Sequence, residues 1–187
     1  FLNETIEMRH QIHQFPELGN REFKTAEMVA EHLRALGFDE VMVDVAHTGV
    51  VGILKGGLPG DVVAVRADMD ALPVTEDTGY SFASTVRTEY LGQEVGVMHA
   101  CGHDGHVATT LVAASILAQH RDTLKGTIKL VFQPAEEIMS GALSMINDGV
   151  MRDPVPDRVL GFHLANWIPV GLIGMRPGAI LAGVDEL

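Results

Sequence analysis

The stretch HVATTLVAASILAQHRDTLKGTIKLVFQ, residues 106–133, joins an apolar helix to an apolar strand. Its first fifteen residues, His106–His120, are strongly apolar and long enough to predict a helix. The run GTIKLVFQ, residues 126–133, is short and apolar and predicts a buried strand. A helix that leads into a buried strand is typical of an α/β sheet covered by helices on both faces.

The rest of the chain continues this alternation. Helices are predicted from apolar spacing and from Pro or Gly near their ends at Asn3–Phe15, Arg21–Leu36 and Ser140–Gly149. Strands are predicted at 41–45, 49–56, 61–67, 158–163 and 170–175, and a glycine-broken loop at 72–105. These elements predict an α/β fold: a three-layer sandwich with a mostly parallel central sheet flanked by helices.

Composition and charge narrow the possible functions. The formal net charge of −12 repels nucleic-acid phosphates, so no nucleic-acid partner is expected. The chain has no run of 18 or more apolar residues, and FLNETIEMRH at its start does not resemble a signal peptide. No membrane partner is therefore expected. The single cysteine, Cys101, excludes an internal disulfide.

Four polar clusters lie next to predicted strands or helices, far apart in the sequence. Three follow strands and one precedes the apolar helix: ADMD at 67–70, QPAEE at 133–137, FHL at 162–164 and ACGHDGH at 100–106. Open α/β sheets bind ligands at the ends of their strands. We therefore expect the four clusters to meet at one site.

Cys101 and His103 offer a thiolate and an imidazole separated by one glycine. Gly102 permits a tight bend that lets both side chains converge, and these donors suit Zn²⁺ well and other divalent first-row metals adequately. Glu136 and Glu137 are adjacent carboxylates that point in different directions, so one can bind metal while the other acts as a general base. A solvated loop is the alternative interpretation of this pair.

Three further polar residues lie at predicted strand ends. Asp68 and Asp70 flank Met69, and the alternation of side chains places both carboxylates on one side. Burying this pair is costly unless it meets a cation or hydrogen-bond donors, and one aspartate could orient a ligating histidine. His163 ends a predicted strand, where it is either a ligand or a core histidine with one hydrogen bond.

The motifs together resemble a known family. In chain order they are RHQIHQFPELGNREFKTA at 9–26, RADMDALPV at 66–74, MHACGHDGHVA at 98–108, VFQPAEE at 131–137 and GFHL with PVG in 161–171. They resemble the amidohydrolase branch of the dinuclear metallopeptidases related to carboxypeptidase G and aminoacylase. That branch includes hippurate hydrolase, N-acyl-L-amino-acid amidohydrolase and the plant indole-acetyl-amino-acid hydrolases.

The resemblance implies a set of metal ligands. Cys101 would bridge two ions as a thiolate, His103 and Glu137 would bind on one side, and His163 would bind on the other. The implied cofactor is a pair of divalent metal ions. Zn²⁺ is expected first because of the thiolate, while Mn²⁺, Co²⁺ and Ni²⁺ stay open.

The resemblance also implies the reaction and its supporting residues. Glu136 would be the general base, and Asp70 would support the site. Asp68 stands where peptidase relatives carry a ligating histidine, so His103 would have taken over that ligand role. His106, at a helix start, would have a supporting or structural role. The implied activity is metal-dependent hydrolysis of the amide bond of a small-molecule N-acyl amino acid, with the acyl group left open.

The resemblance further implies that this chain is either a fragment of a longer enzyme, which is the favoured expectation, or a naturally truncated gene product. Residues 1–180 are expected to form the N-terminal part of the catalytic domain, and residues 181–187 to begin a lid or dimerisation domain. The remainder would supply a last histidine ligand and the surface for a homodimer or higher oligomer, so the fragment alone is expected to be inactive. A cytoplasmic location is expected because a ligating thiol must stay reduced.

Two alternatives stay open. A thiol hydrolase with Cys101 as its nucleophile explains the Cys-Gly-His spacing but leaves QPAEE and the aspartate pair without a role. The other alternative is a catalytically inactive binding or interaction module of the same fold. Inactivation by chelators would indicate the metal-dependent enzyme, whereas inactivation by iodoacetamide would indicate the thiol enzyme.

Overall fold

The computed structural model describes residues 1–180. The predicted start of a lid domain, residues 181–187, lies outside the described residues. Within residues 1–180, no helix combines the length and apolar character that a membrane crossing requires.

Helices and strands alternate along the described chain. The α-helices α1–α4 are Leu2–Gln14, Phe23–Ala35, His103–Gln119 and Gly141–Asn147. The strands β1–β7 are Glu40–Val45, Gly49–Lys55, Leu58–Asp68, Arg87–Tyr90, Gln93–Gly96, Lys125–Gln133 and Arg158–Gly161. A single 3-10 turn, Arg121–Thr123, connects α3 to β6.

The central sheet has five strands in the order β1-β2-β6-β3-β7. β2 runs antiparallel to both of its neighbours, whereas β3 runs parallel to β6 and to β7. Four of the five strands therefore point the same way, which confirms the predicted mostly parallel sheet. The parallel register pairs Asp68 with Gln133, so the carboxyl ends of β3 and β6 lie side by side.

Helices cover both faces of this sheet, as predicted. On one face, Leu111 of α3 packs with Leu130 and Phe132 of β6, together with core residues of α1 and α2. On the other face, Met145 of α4 packs with Val131. Successive residues of β6 thus serve opposite faces, because side chains alternate along a strand. The result is the three-layer sandwich that the sequence predicts.

The long helix α3 begins earlier than predicted, at His103 instead of His106. Gly102 precedes it with φ 96°, a left-handed conformation that glycine adopts without a steric penalty. The glycine turns the chain sharply from the preceding loop into the helix. As a result, His103 belongs to the first turn of α3, and Cys101 lies just outside it.

The predicted loop at 72–105 contains a hairpin that the sequence analysis missed. β4 and β5 pair antiparallel around Leu91 and Gly92, which have φ 51° and 77°. Positive φ at both central residues is the mark of a type I′ hairpin turn. The strands are four residues long and largely polar, so their alternation is too weak to stand out in the sequence.

The predicted strand at 170–175 is wrong. This segment forms no strand, and Val170 and Ile173 are 106% and 89% exposed. β7 is also shorter than predicted, and its outer edge pairs with no other strand among residues 1–180. An apolar run forms a stable strand only when it pairs with a neighbouring strand, and residues 170–175 pair with no strand in the described part of the chain.

Candidate metal centre

The predicted site residues converge at the carboxyl edge of the central sheet. Each lies at or after a strand end or near the start of a helix: Asp68 and Asp70 at β3, Glu136 and Glu137 after β6, His163 after β7, and Cys101 and His103 at α3. Parallel strands bring their carboxyl ends to one edge, which is where open α/β sheets bind ligands. The expected meeting of the four polar clusters therefore occurs.

Cys101, His103 and His163 form the first group of potential ligands. One donor atom from each lies within 4.8 Å of the others. The Sγ of Cys101 is 3.5 Å from Nε2 of His163, and the Nδ1 of His163 is 2.7 Å from the carbonyl oxygen of Leu164. His163 is exposed, so it is not the core histidine that the sequence left as an alternative.

Glu136 and Glu137 form a second group with His103. The Nε2 of His103 is 3.8 Å from a carboxylate oxygen of each glutamate. Their side chains differ in exposure, with 39% for Glu136 and 19% for Glu137. The Oε1 of Glu137 is buried without a hydrogen-bond partner in the described chain. The pair is therefore part of a cluster, and the solvated-loop interpretation does not describe it.

Asp70 contacts both His103 and Glu137. Its carbonyl oxygen lies 2.8 Å from Nδ1 of His103, and its Oδ2 accepts a hydrogen bond from the backbone N–H of Glu137 at 2.9 Å. The Nδ1–H of His103 is thereby engaged in a hydrogen bond, which leaves the lone pair of Nε2 available to a metal ion. Asp70 thus orients the histidine and places the neighbouring carboxylate.

Asp68 faces a different set of partners. Burial acts to raise the pKa of its carboxyl group, but the hydrogen bond with His106 and the nearby His103 and Arg66 lower it to about 2. Its Oδ1 is 2.5 Å from Nδ1 of His106, and its Oδ2 is 2.5 Å from the guanidinium of Arg66. Asp68 is therefore ionised at neutral pH and largely occupied by protein donors.

His106 has a contact that the sequence analysis did not predict. Its Nδ1 donates to Asp68, and its Nε2 accepts a hydrogen bond from the backbone N–H of Leu164 at 2.8 Å. The latter contact ties α3 to the segment that carries His163, whose ring centroid is 4.5 Å away. The third histidine of HACGHDGH was the available signal, but its partner lies 58 residues further along the chain.

The electrostatics of the cluster favour a cation. Burial and the carboxylate of Glu137 raise the pKa of the Cys101 thiol to about 12, and burial raises the pKa of Glu137. The Nε2 of His103 and the Oε1 of Glu137 are both buried and lack hydrogen-bond partners within the described part of the chain. A nitrogen and an oxygen atom without hydrogen-bond partners, close to the sulfur of Cys101, fit a divalent metal ion.

A second buried polar cluster next to the site was missed by the sequence analysis. Nδ1 of His13 lies 2.8 Å from Asp104, its Nε2 lies 3.2 Å from Glu76, and Arg9 donates to Asp104 at 3.0 Å. This cluster joins α1 and the loop after β3 to the first turn of α3. Spacing in the sequence could not reveal it, because His13 and Asp104 are 91 residues apart.

The three-layer fold thus brings sulfur, imidazole and carboxylate groups together at the carboxyl edge of its sheet. Residues 64–182 match the profile of Peptidase family M20/M25/M40, and the chain belongs to this family. This membership confirms the resemblance that the sequence motifs indicated.

Individual proteins and a solved structure are also similar to this chain. The chain is 45% identical to Thermostable carboxypeptidase 1 of Saccharolobus solfataricus, over 96% of this chain and 44% of that protein. It is 41% identical to N-acetyl-L-cysteine deacetylase of Bacillus subtilis, over 97% of this chain and 41% of that protein. The solved structure of the Bacillus subtilis YXEP protein, described as a dinuclear metal binding peptidase from the M20 family, matches with a TM-score of 0.83 and 39% identity. That match covers 93% of this chain and 46% of the other, so the chain spans less than half the length of these relatives.

Proposed function

We propose that the protein hydrolyses the amide bond of N-acyl amino acids with divalent metal ions as cofactors. The observation that carries this proposal is the convergence of Cys101, His103 and His163, whose donor atoms lie within 4.8 Å, beside Glu136 and Glu137. The similarity to a protein named N-acetyl-L-cysteine deacetylase supports the substrate class. Since the chain spans less than half of its relatives, the proposal concerns the full-length protein.

Cys101, His103, Glu137 and His163 are the proposed metal ligands. Burial and the carboxylate of Glu137 raise the pKa of the Cys101 thiol, and the Sγ of Cys101 lies 3.5 Å from Nε2 of His163, so Cys101 would hold metal together with both residues. The donor set favours Zn²⁺, with Mn²⁺, Co²⁺ and Ni²⁺ as alternatives. When bound, such ions supply Lewis acidity that lowers the pKa of water and polarises the substrate carbonyl.

Glu136 is the proposed general base. It is the more exposed of the two glutamates, and its Oε2 is 3.8 Å from Nε2 of His103, so it lies beside the ligand cluster and is open to water. Its carboxylate accepts the proton of the attacking water and delivers it to the amine nitrogen as the C–N bond breaks. One water is consumed, and the products are a carboxylic acid and a free amino acid.

Asp70 is proposed to keep the ligands in place without acting on substrate. It holds the Nδ1 side of His103 and the backbone N–H of Glu137, and both contacts are buried or half-buried. A histidine oriented in this way keeps its Nε2 lone pair directed to the metal, which raises metal affinity.

A Cys101-dependent thiol hydrolase is the weaker alternative. Although His163 lies within reach of the sulfur, a thiol with a pKa of about 12 in the metal-free protein is almost fully protonated at neutral pH. The surrounding carboxylates oppose the thiolate that a nucleophilic mechanism requires. Loss of activity in EDTA supports the metal-dependent reaction, whereas full activity in EDTA together with inactivation by iodoacetamide supports the thiol reaction.

Substitution of the two glutamates tests the assigned roles. Glu136→Gln is expected to keep the bound metal but abolish turnover, while Glu137→Ala is expected to lose metal. Glu89→Gln is the matched control, because Glu89 is exposed on the β4–β5 hairpin and belongs to none of the groups of potential ligands. The measurements are elemental analysis of the full-length protein and kcat on benzoyl, acetyl, indole-acetyl and aminobenzoyl amino acids.

The outcomes separate the candidate functions. A near-normal kcat in Glu136→Gln would contradict the assignment of Glu136 as the general base. A full-length protein that binds two metal ions yet hydrolyses no N-acyl amino acid would instead be a binding module of the same fold.

We also propose a reducing, cytoplasmic location and a homodimer or higher oligomer. The location follows from the proposed role of Cys101, since a ligating thiol must escape oxidation. The oligomer would form through a lid domain, and light scattering of the full-length protein measures it directly.

A further inference from the structure

Glu22 is a fully buried carboxylate that no predicted role accounts for. Its side chain is 0% exposed. Its Oε1 accepts a hydrogen bond from the backbone N–H of Ala135 at 2.8 Å, and its Oε2 accepts one from Oγ1 of Thr48 at 2.6 Å. Burial raises the pKa of Glu22, and the groups that offset this are hydrogen-bond donors, with no cation among them.

Ala135, which receives this contact, directly precedes the Glu136–Glu137 pair. Its φ is 50°, a left-handed conformation that costs a residue with a Cβ atom roughly 1–2 kcal/mol. Its carbonyl oxygen accepts hydrogen bonds from the N–H groups of Ser140 and Gly141, both at 3.2 Å. The backbone N–H of Ala135 is therefore its remaining hydrogen-bonding group, and the carboxylate of Glu22 accepts from it.

The nearby helix does not explain Glu22. It occupies the N-cap position of α2, but its side chain makes no capping hydrogen bond. Glu17 performs that task instead, because its carboxylate accepts from the N–H groups of Lys24 and Thr25 at 3.1 and 2.9 Å. Burying a carboxylate is costly unless its oxygens find donors, and the backbone donor that Glu22 uses lies 113 residues away.

We propose that Glu22 is a positioning residue that holds the 134–137 turn, so that its two glutamates are presented to His103. The proposal rests on the proposed function for the roles of those glutamates. Asp70 holds the same turn at Glu137, whose N–H it accepts at 2.9 Å. Two carboxylates from distant parts of the chain thus fix the turn, one at its second residue and one at its last.

The close packing around Gly19 supports this arrangement. A Cβ atom built on Gly19 would lie 3.2 Å from Cα of Ala135 and 3.3 Å from Oδ2 of Asp70. The loop that leads to Glu22 therefore lies directly against both the turn and the second carboxylate that holds it. A substitution at Glu22 is therefore expected to disturb the 134–137 turn more than the hydrophobic core.

The test compares Glu22→Met, Glu22→Gln and the matched control Glu17→Met. Methionine keeps the side-chain volume but offers no oxygen acceptor, whereas glutamine keeps a carbonyl oxygen for the Ala135 N–H. Glu17→Met makes the same chemical change five residues away, where it removes the α2 cap and a hydrogen bond from the Thr25 hydroxyl but no contact with the 134–137 turn. The readouts are amide hydrogen exchange at Ala135 in the metal-free protein, Zn²⁺ affinity by chelator competition, and thermal unfolding.

Glu22→Met is expected to speed exchange at Ala135 by about tenfold or more and to weaken Zn²⁺ binding by about tenfold. Glu22→Gln is expected to stay near wild type in both measurements. Glu17→Met is expected to lower the unfolding temperature without changing either. A folded Glu22→Met protein with unchanged exchange at Ala135 overturns the proposal, and so does an equal change in Glu17→Met.

The two proposals fail separately. Wild-type protein that binds no metal ion, or hydrolyses no N-acyl amino acid, contradicts the proposed function, while the exchange comparison still decides the role of Glu22. If Glu22→Met does not fold, Glu22→Ala replaces it with the same expected exchange and the same refuting result.

Discussion

Replacement of His106 by alanine tests how the site is held together. The imidazole is fully buried, donates from Nδ1 to Oδ1 of Asp68 at 2.5 Å, and accepts at Nε2 from the N–H of Leu164 at 2.8 Å. Removing the imidazole leaves a buried carboxylate oxygen without its donor, which costs about 2 kcal/mol of stability. It also leaves a backbone N–H without its acceptor, which costs about 1 kcal/mol. We therefore expect His106→Ala to lose roughly 3 kcal/mol of unfolding free energy.

The assay is urea unfolding in EDTA, so that metal binding does not contribute to the measured stability. His120→Ala is the control, because His120 is exposed just after α3. His106→Asn keeps a donor near the position of Nδ1, and we expect it to recover the larger part of the loss. Zn²⁺ affinity should also fall about tenfold in His106→Ala, since the Leu164 contact holds the segment that carries His163. An unfolding free energy within about 0.5 kcal/mol of wild type would refute the reasoning.

Two further predictions concern the charged groups outside the candidate ligands. The hydrogen bond with Asp104 raises the pKa of His13 above 6.5 in the folded protein. Burial acts to lower this pKa, and Glu76 acts to raise it further. The stability that His13 adds is therefore complete below about pH 6.5 and is lost as pH rises through its folded-state pKa. Urea unfolding should show a wild-type advantage over His13→Gln that is larger at about pH 6 than at about pH 9, and the reverse trend contradicts the assignment. Lys129→Met should lose about 2–3 kcal/mol in the same assay, because the buried Nζ donates to three backbone carbonyls in the 150–154 segment. A neutral effect there would mean that the carbonyls find other partners.

The alternation of helices and strands was predictable because it depends on local spacing. The apolar period of α2 and the short apolar run of β6 are visible in any window of the sequence that contains them. The β4–β5 hairpin was missed because its strands are short and polar. The segment 170–175 was wrongly predicted to be a strand because an apolar run carries no information about whether a partner strand is available.

The donor types of the candidate site were predictable for a similar reason. Cys101, His103 and the Glu136–Glu137 pair each stand beside an element end that apolar patterning reveals, so their convergence followed from the general geometry of α/β sheets. Their individual partners did not follow. The contact of His106 with Leu164 and that of Glu22 with Ala135 depend on the packing of segments that are distant in sequence.

The sequence by itself therefore determined the fold class, the edge of the sheet at which polar residues gather, and the chemical nature of the potential ligands. Only the tertiary structure decided which carboxylate oxygens are buried without a hydrogen-bond partner, which histidine accepts from a backbone N–H, and which glutamate holds the turn after β6. The physical reason is the range of the interactions. Helix and strand formation depend on residues a few positions apart, whereas burial and hydrogen-bond partners depend on which segments meet in three dimensions.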